Sequence, residues 1–144
     1  MSTQAPAAAG TMNMLSRLWR VTFRSAAPEI LGVTLKEFVI LMTLDESERV
    51  TQQRLAKTLL LDANSAVLLL TGLEDKGLIE RTRDPEDRRR HIVEITPKGR
   101  RALEKAERQL ETVADDVLAN LDQSERGNLH DLLAKALEDK SLAI

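Results

Sequence analysis

Arg88, Arg89 and Arg90 stand consecutively, directly after the cluster Asp84-Pro85-Glu86-Asp87. Guanidinium groups are planar, permanently charged forks. They match phosphate oxygens and suit a narrow minor groove, where negative potential is enhanced. The triplet is therefore a candidate contact for double-stranded DNA. Alone it is a weak signal, because charged runs often do no more than solvate a surface. Its setting strengthens it. Ile79 and Thr82 precede the turn cluster, and Ile92, Val93 and Ile95 follow it. Strand formers on both sides of a proline-containing turn predict a hairpin with the arginines in its loop.

Other chemistry is sparse. His91 and His130 are isolated, and neither belongs to a metal-ligand spacing. There is no cysteine, which excludes disulfides, thiol catalysis, thiol-based redox sensing and thiolate zinc sites. No glycine-rich phosphate loop, metalloprotease helix motif or nucleophile elbow occurs. The expectation is a non-enzyme with no cofactor and no metal. The net charge of −2 hides an asymmetry. Residues 81–108 hold ten Lys/Arg against six Asp/Glu, a balance of +4, whereas residues 109–144 hold three against eight, a balance of −5. A locally basic stretch can bind a polyanion although the whole chain is acidic, because the field at the site decides. No apolar run approaches the roughly 18–20 residues that span a bilayer. The first residues also lack the pattern of a secretory signal. The expected location is cytoplasmic, with no membrane partner.

The hairpin needs support, since two strands alone are barely stable. Helical patterns flank it. Residues 1–10 read as a frayed tail. From residue 11, Met14, Leu15, Leu18, Trp19 and Phe23 recur at helical spacing, and Pro28 and Gly32 end that helix. Thr34-Leu35-Lys36-Glu37 is a capping box opening a second helix. Glu46–Arg49 reads as a turn. Thr51 can cap a short helix exposing Gln52, Gln53, Arg54 and Lys57, and Asp62 a further one ending at Gly77. These two form a helix-turn-helix unit. The first turn of its second helix offers Asn64, suited to adenine, and Ser65, suited to a base or phosphate. Its N-terminal amides favour a nearby phosphate. Thr96-Pro97 restarts helix to about residue 121, with a near-heptad seam of Leu103, Ala106, Leu110, Val113, Val117 and Leu121. Asp122 and Glu125 form a second capping box before the last helix. The amphipathic outer helices predict a dimerisation layer, that is, a homodimer.

Three segments together resemble the MarR family of winged-helix transcriptional regulators. They are Leu73-Glu74-Asp75-Lys76-Gly77-Leu78-Ile79-Glu80-Arg81, Asp84-Pro85-Glu86-Asp87-Arg88-Arg89-Arg90, and Val93-Glu94-Ile95-Thr96-Pro97-Lys98-Gly99. The helix order around them matches too, so the resemblance covers nearly the whole chain beyond the tail. It implies a mainly α protein with a small β-hairpin (α+β). Residues 11–33 would be an N-terminal dimerisation helix, 34–96 a winged helix-turn-helix DNA-binding lobe, and 97–144 C-terminal dimerisation helices. It implies a DNA-binding transcriptional regulator, most often a repressor, acting on a pseudo-palindromic operator. Arg89 falls at the wing arginine that enters the minor groove, and Asp87 at the acidic residue that holds it. A carboxylate two residues away on a tight loop is also physically suited to orient a guanidinium.

The family also implies a small aromatic or phenolic effector bound between the dimer layer and the DNA-binding lobe. Trp19, Arg20, Phe23, Phe38 and Met42 are the candidate lining, with ordinary core packing as the alternative for each. The chain departs from the family in the recognition helix. Val67-Leu68 stands where many members have Thr-Arg, and Gly72 where many have a further Arg. Leu68 either meets a thymine methyl or is partly buried, and partial burial is the expectation. An alternative function follows from these apolar positions: a dimeric protein-interaction module of the same fold whose DNA binding is weakened or lost.

Overall fold

The computed structural model describes residues 8–47 and 49–138. The order is α1 (Ala8–Ser25), α2 (Pro28–Leu31), α3 (Leu35–Glu46), β1 (Val50–Thr51), α4 (Gln52–Thr58), α5 (Ala63–Asp75), β2 (Ile79–Arg83), β3 (His91–Ile95), α6 (Pro97–Val117) and α7 (Gln123–Leu137). The chain is thus mainly helical with one small antiparallel sheet, as the sequence predicts.

Local chemistry sets most helix starts. The Thr34 hydroxyl accepts from the Glu37 N–H at 3.1 Å while the Thr34 N–H donates to Glu37 Oε1 at 3.0 Å, completing the expected capping box. Thr51, Asp62 and Thr96 cap α4, α5 and α6 through side-chain oxygens, and Asp122 with Glu125 forms the second box. Pro28 begins the short α2 rather than merely ending α1, and Gly32 closes it in the left-handed region at φ 84°. Ala8–Gly10 belong to α1 instead of a tail, while residues 1–7 lie outside the described residues. The helix from Pro97 stops at Val117, earlier than the apolar pattern implies. There Arg126 donates to the carbonyls of Leu118 and Leu121 and pairs with Asp115 at 2.6 Å. These bonds fasten the turn between α6 and α7 to the start of α7.

The sheet has three strands in the order β1-β3-β2, all antiparallel. Ile79 faces Ile95 and Thr82 faces Ile92, so the expected hairpin is present in register. The third strand is Val50–Thr51, inside a stretch where sequence patterning gave only a turn and a helix cap. Two residues are too few to show an alternation, and only pairing with Val93 and Ile92 makes them a strand.

One continuous core runs from Ala26 and Leu31 through α3, α5 and the sheet to Leu103, Ala106 and Val113 of α6. Gly99 makes the tightest joint. A Cβ there would stand 2.1 Å from the Leu78 carbonyl oxygen and 2.8 Å from Ile95 Cγ1. Only glycine lets the first turn of α6 lie this close to the base of the hairpin. The wing is thereby seated on the helical layer.

Candidate nucleic-acid interface

The loop between β2 and β3 is folded by its acidic residues. Asp84 accepts from the Glu86 N–H at 3.0 Å, its own N–H donates to the Arg90 carbonyl at 3.0 Å, and Arg90 N–H returns to the Asp87 carbonyl at 2.9 Å. Asp87 Oδ1 accepts from both the backbone N–H of Arg89 at 3.1 Å and its Nε at 3.2 Å. Its other oxygen lies 3.6 Å from Arg90 Nε. The Arg89 N–H, then its guanidinium, holds the Asp87 carboxyl below the usual carboxylate range. The Arg89 side chain is 92% exposed although one end is tethered. The result is an aimed cation at the loop tip. Arg88 and Arg90 are exposed beside it.

Helices α4 and α5 are bent by 112° across the break between them, within the range of helix-turn-helix units. The break has no glycine, and Leu60 itself adopts φ 55° with its side chain in solvent. Gln52, Gln53 and Lys57 line an open groove of about 540 Å³ together with Ala63 and Val67, so the two helices converge on one surface. The buried Oε1 of Gln52 has no hydrogen-bond partner among the described residues.

At the start of α5 the helix N-terminus is already occupied by its own cap. Asp62 accepts from the Ser65 N–H and from the Ser65 hydroxyl, each at 2.8 Å. These bonds keep its carboxyl below the ordinary value of 3.8. The helix start therefore carries its own anion, which competes with a phosphate for the same amides. The Ser65 hydroxyl has spent its proton on Asp62, so Ser65 retains acceptor capacity but no free donor. Asn64 is exposed and unencumbered. Leu68 is 74% exposed and Val67 43%, so the expected partial burial of Leu68 is wrong. The reason is rotational: Ala66, Leu70 and Leu73 form the buried stripe, and Leu68 lies off it.

Sequence reasoning overlooked the clamp between α5 and the wing. Arg81 donates to Glu74 through Nε at 3.3 Å and Nη2 at 3.1 Å, and its backbone N–H adds a third bond at 3.1 Å. Nη2 also reaches the Thr71 hydroxyl at 3.1 Å. The Arg81 guanidinium keeps Glu74 below its usual range. Lys76 similarly pairs with the buried Glu37 at 2.9 Å. The sequence gives Glu37 only its capping role and Glu74 no partner.

The five proposed effector-contacting residues do not converge. Trp19 lines a small apolar pocket with Leu35, Val39, Ile40, Leu59 and Leu61, about 200 Å³ in volume. Phe23 is tilted against Trp19 at 5.8 Å between ring centroids. Phe38 is core, Met42 packs against the core, and Arg20 bonds Ser16 within its own helix. The outer helices are covered on one side only. Neither α1 nor α7 has a buried residue, and Met12, Met14, Val21, Leu132 and Leu137 are each at least half exposed.

Comparison with known proteins agrees with this architecture. The MarR family model matches residues 33–91. The chain is 34% identical over 110 residues to the putative transcriptional regulatory protein for the hcr operon of Thauera aromatica, covering 76% of this chain and 66% of that one. It is 31% identical over 108 residues to the multiple antibiotic resistance protein MarR of Salmonella typhimurium, covering 74% and 75%. The chain thus spans slightly under two thirds of some curated relatives that it matches. Among solved structures, a mutant MarR from E. coli complexed with operator DNA superposes with a TM-score of 0.75 at 25% identity, covering 87% of this chain and 91% of that one. The hairpin on its helix-turn-helix, the outer helical layer and these matches lead to one conclusion: the chain belongs to the MarR family of winged-helix transcriptional regulators.

Proposed function

We propose that this chain is a sequence-specific DNA-binding regulator of the repressor type, acting in the cytoplasm as a homodimer on a pseudo-palindromic operator. The observation that carries the reading is the wing tip, where a 92% exposed Arg89 is held at its Nε by the Asp87 carboxylate. A solved relative of the same fold, at 25% identity, is complexed with operator DNA. Arg89 enters the minor groove, Arg88 and Arg90 bind flanking phosphates, and Gln52, Gln53 and Lys57 approach the backbone from α4. Asn64 reads a base from the first turn of α5, and Ser65 contributes as an acceptor. The apolar faces of α1 and α7 support the homodimer, whose recognition helices would lie roughly 34 Å apart in successive major grooves. The pocket beside Trp19 is the site that we assign to a small aromatic effector, with Phe23 tilted against the Trp19 ring.

A base-by-base scan with Asn64→Ala tests the reading. The expected loss is about 1–3 kcal/mol at one base pair per half-site. Equal weakening on every sequence removes Asn64 as a base reader. The exposure of Val67 and Leu68 favours a second reading, a protein-interaction module of the same fold. That reading requires that the chain select no DNA site from a random pool.

A further inference from the structure

Helix α5 presents an unusual outward surface. From Ala63 to Leu73 it contains no charged residue. Asn64 and Leu68 are one turn apart on the same exposed edge, and Val67 lies beside them at the α4–α5 groove. Leu68 is 74% exposed, and a leucine so placed has no role in the core. Next along this edge is Gly72, where an added Cβ would meet nothing. Lys57 of α4 lines the groove beside Val67, and the wing offers the exposed Arg88, Arg89 and Arg90. A partner drawn by these cations is an anion, yet its face toward α5 must be apolar and must match an amide. The major groove of A·T-containing DNA meets all three demands. Its phosphates suit the cations, adenine N6 and N7 suit an Asn side chain, and the thymine C5 methyl is the apolar feature of the base edges.

We infer that Leu68 reads thymine methyl groups in the major groove, so that each half-site recognised by α5 is centred on A·T pairs, with Asn64, one α-helical turn before Leu68, on a nearby adenine. The inference rests on the DNA-binding reading and adds a specificity determinant to it. It also accounts for an apolar side chain held in water on the helix that faces DNA. Leu68 contributes discrimination without charge, leaving the salt-dependent share of affinity to the wing and α4.

The test uses the full chain and a duplex selected by it from a randomised pool. Each thymine of one half-site is replaced in turn by uracil, which lacks the C5 methyl and keeps the hydrogen-bonding edge. At one or two positions the native chain should bind about fourfold more weakly, equivalent to about 0.8 kcal/mol, the value of one buried methyl group. Leu68→Ala should bind the thymine duplex more weakly and be indifferent to uracil at those positions. Leu68→Met should retain the sensitivity. Comparing the variants on the same duplexes cancels any effect of uracil on DNA shape. Native binding indifferent to every uracil, or a sensitivity that survives Leu68→Ala, overturns the inference and leaves the regulator reading intact. Failure to select any site overturns both.

Discussion

Replacing Asp87 by Ala separates two accounts of the wing because they predict opposite signs. Removing a carboxylate from the tip adds one positive charge per subunit. If Asp87 were only a negative charge near phosphates, its loss would raise affinity for DNA at low salt. The structure points the other way. Asp87 Oδ1 holds both the Arg89 N–H at 3.1 Å and its Nε at 3.2 Å, and Arg90 Nε lies 3.6 Å from the other oxygen. Without those acceptors a side chain already 92% exposed samples its rotamers freely and must be ordered on binding. The expected result is roughly three- to tenfold weaker binding per subunit, despite the more favourable charge. Arg89→Ala is the reference. Loss of one cationic contact lowers the slope of log K against log salt by about 0.9 per subunit, or about 1.8 for a dimer. Its deficit therefore shrinks about tenfold between about 50 and 200 mM salt. Fluorescence-anisotropy titrations of a labelled duplex at both salts read these quantities directly. Tighter binding by Asp87→Ala than by the native chain would refute the holder role.

Three further outcomes concern the scaffold. Gly99→Ala should destabilise by more than about 2 kcal/mol in denaturant titration, because its Cβ meets the Leu78 carbonyl oxygen at 2.1 Å; an unchanged midpoint would contradict the joint described here. Gly72→Ala fills open space in a helix interior and should raise stability by about 0.5–1 kcal/mol, seen as a higher Tm. Glu37 governs an acid limb: burial opposes its ionisation, but the Thr34 N–H and Lys76 outweigh it and pull the carboxyl below its ordinary 4.5. A depressed folded-state value gives stability that is complete above 4.5 and lost as pH falls through the lower folded value. Glu37→Gln should flatten that limb in acid titrations of stability, and a limb of unchanged steepness would remove Glu37 from it.

The parts legible in the sequence are those fixed by local chemistry. Thr34 with Glu37, Asp62, Thr96-Pro97 and Asp122 with Glu125 each carry a helix start within a few residues. The hairpin register follows from strand formers around one turn cluster. What needed tertiary structure was less visible. The strand Val50–Thr51 exists only by pairing with β3. The clamp of Arg81 on Glu74 and Thr71 joins a helix to the following strand, and sequence spacing alone gives no such contact. Leu68 is instructive, because the run Leu68-Leu69-Leu70 hides its own phase. Counting back from Leu73 through Leu70 and Ala66 puts Leu68 off the buried stripe, so the signal was present and outweighed by residue type. The five residues proposed around an effector fail to converge because shared helices do not imply a shared face: Phe38 turns to the core and Arg20 to solvent.

Sequence-specific binding of duplex DNA by a dimer is open to a single titration. The full chain is titrated against DNA from upstream of its own reading frame and against a scrambled duplex of equal length, at about 50 and about 200 mM salt. The upstream duplex should be preferred at both salts by about 10³-fold or more, with two subunits bound per site. Equal affinity for the two duplexes, or no binding to either, would contradict it.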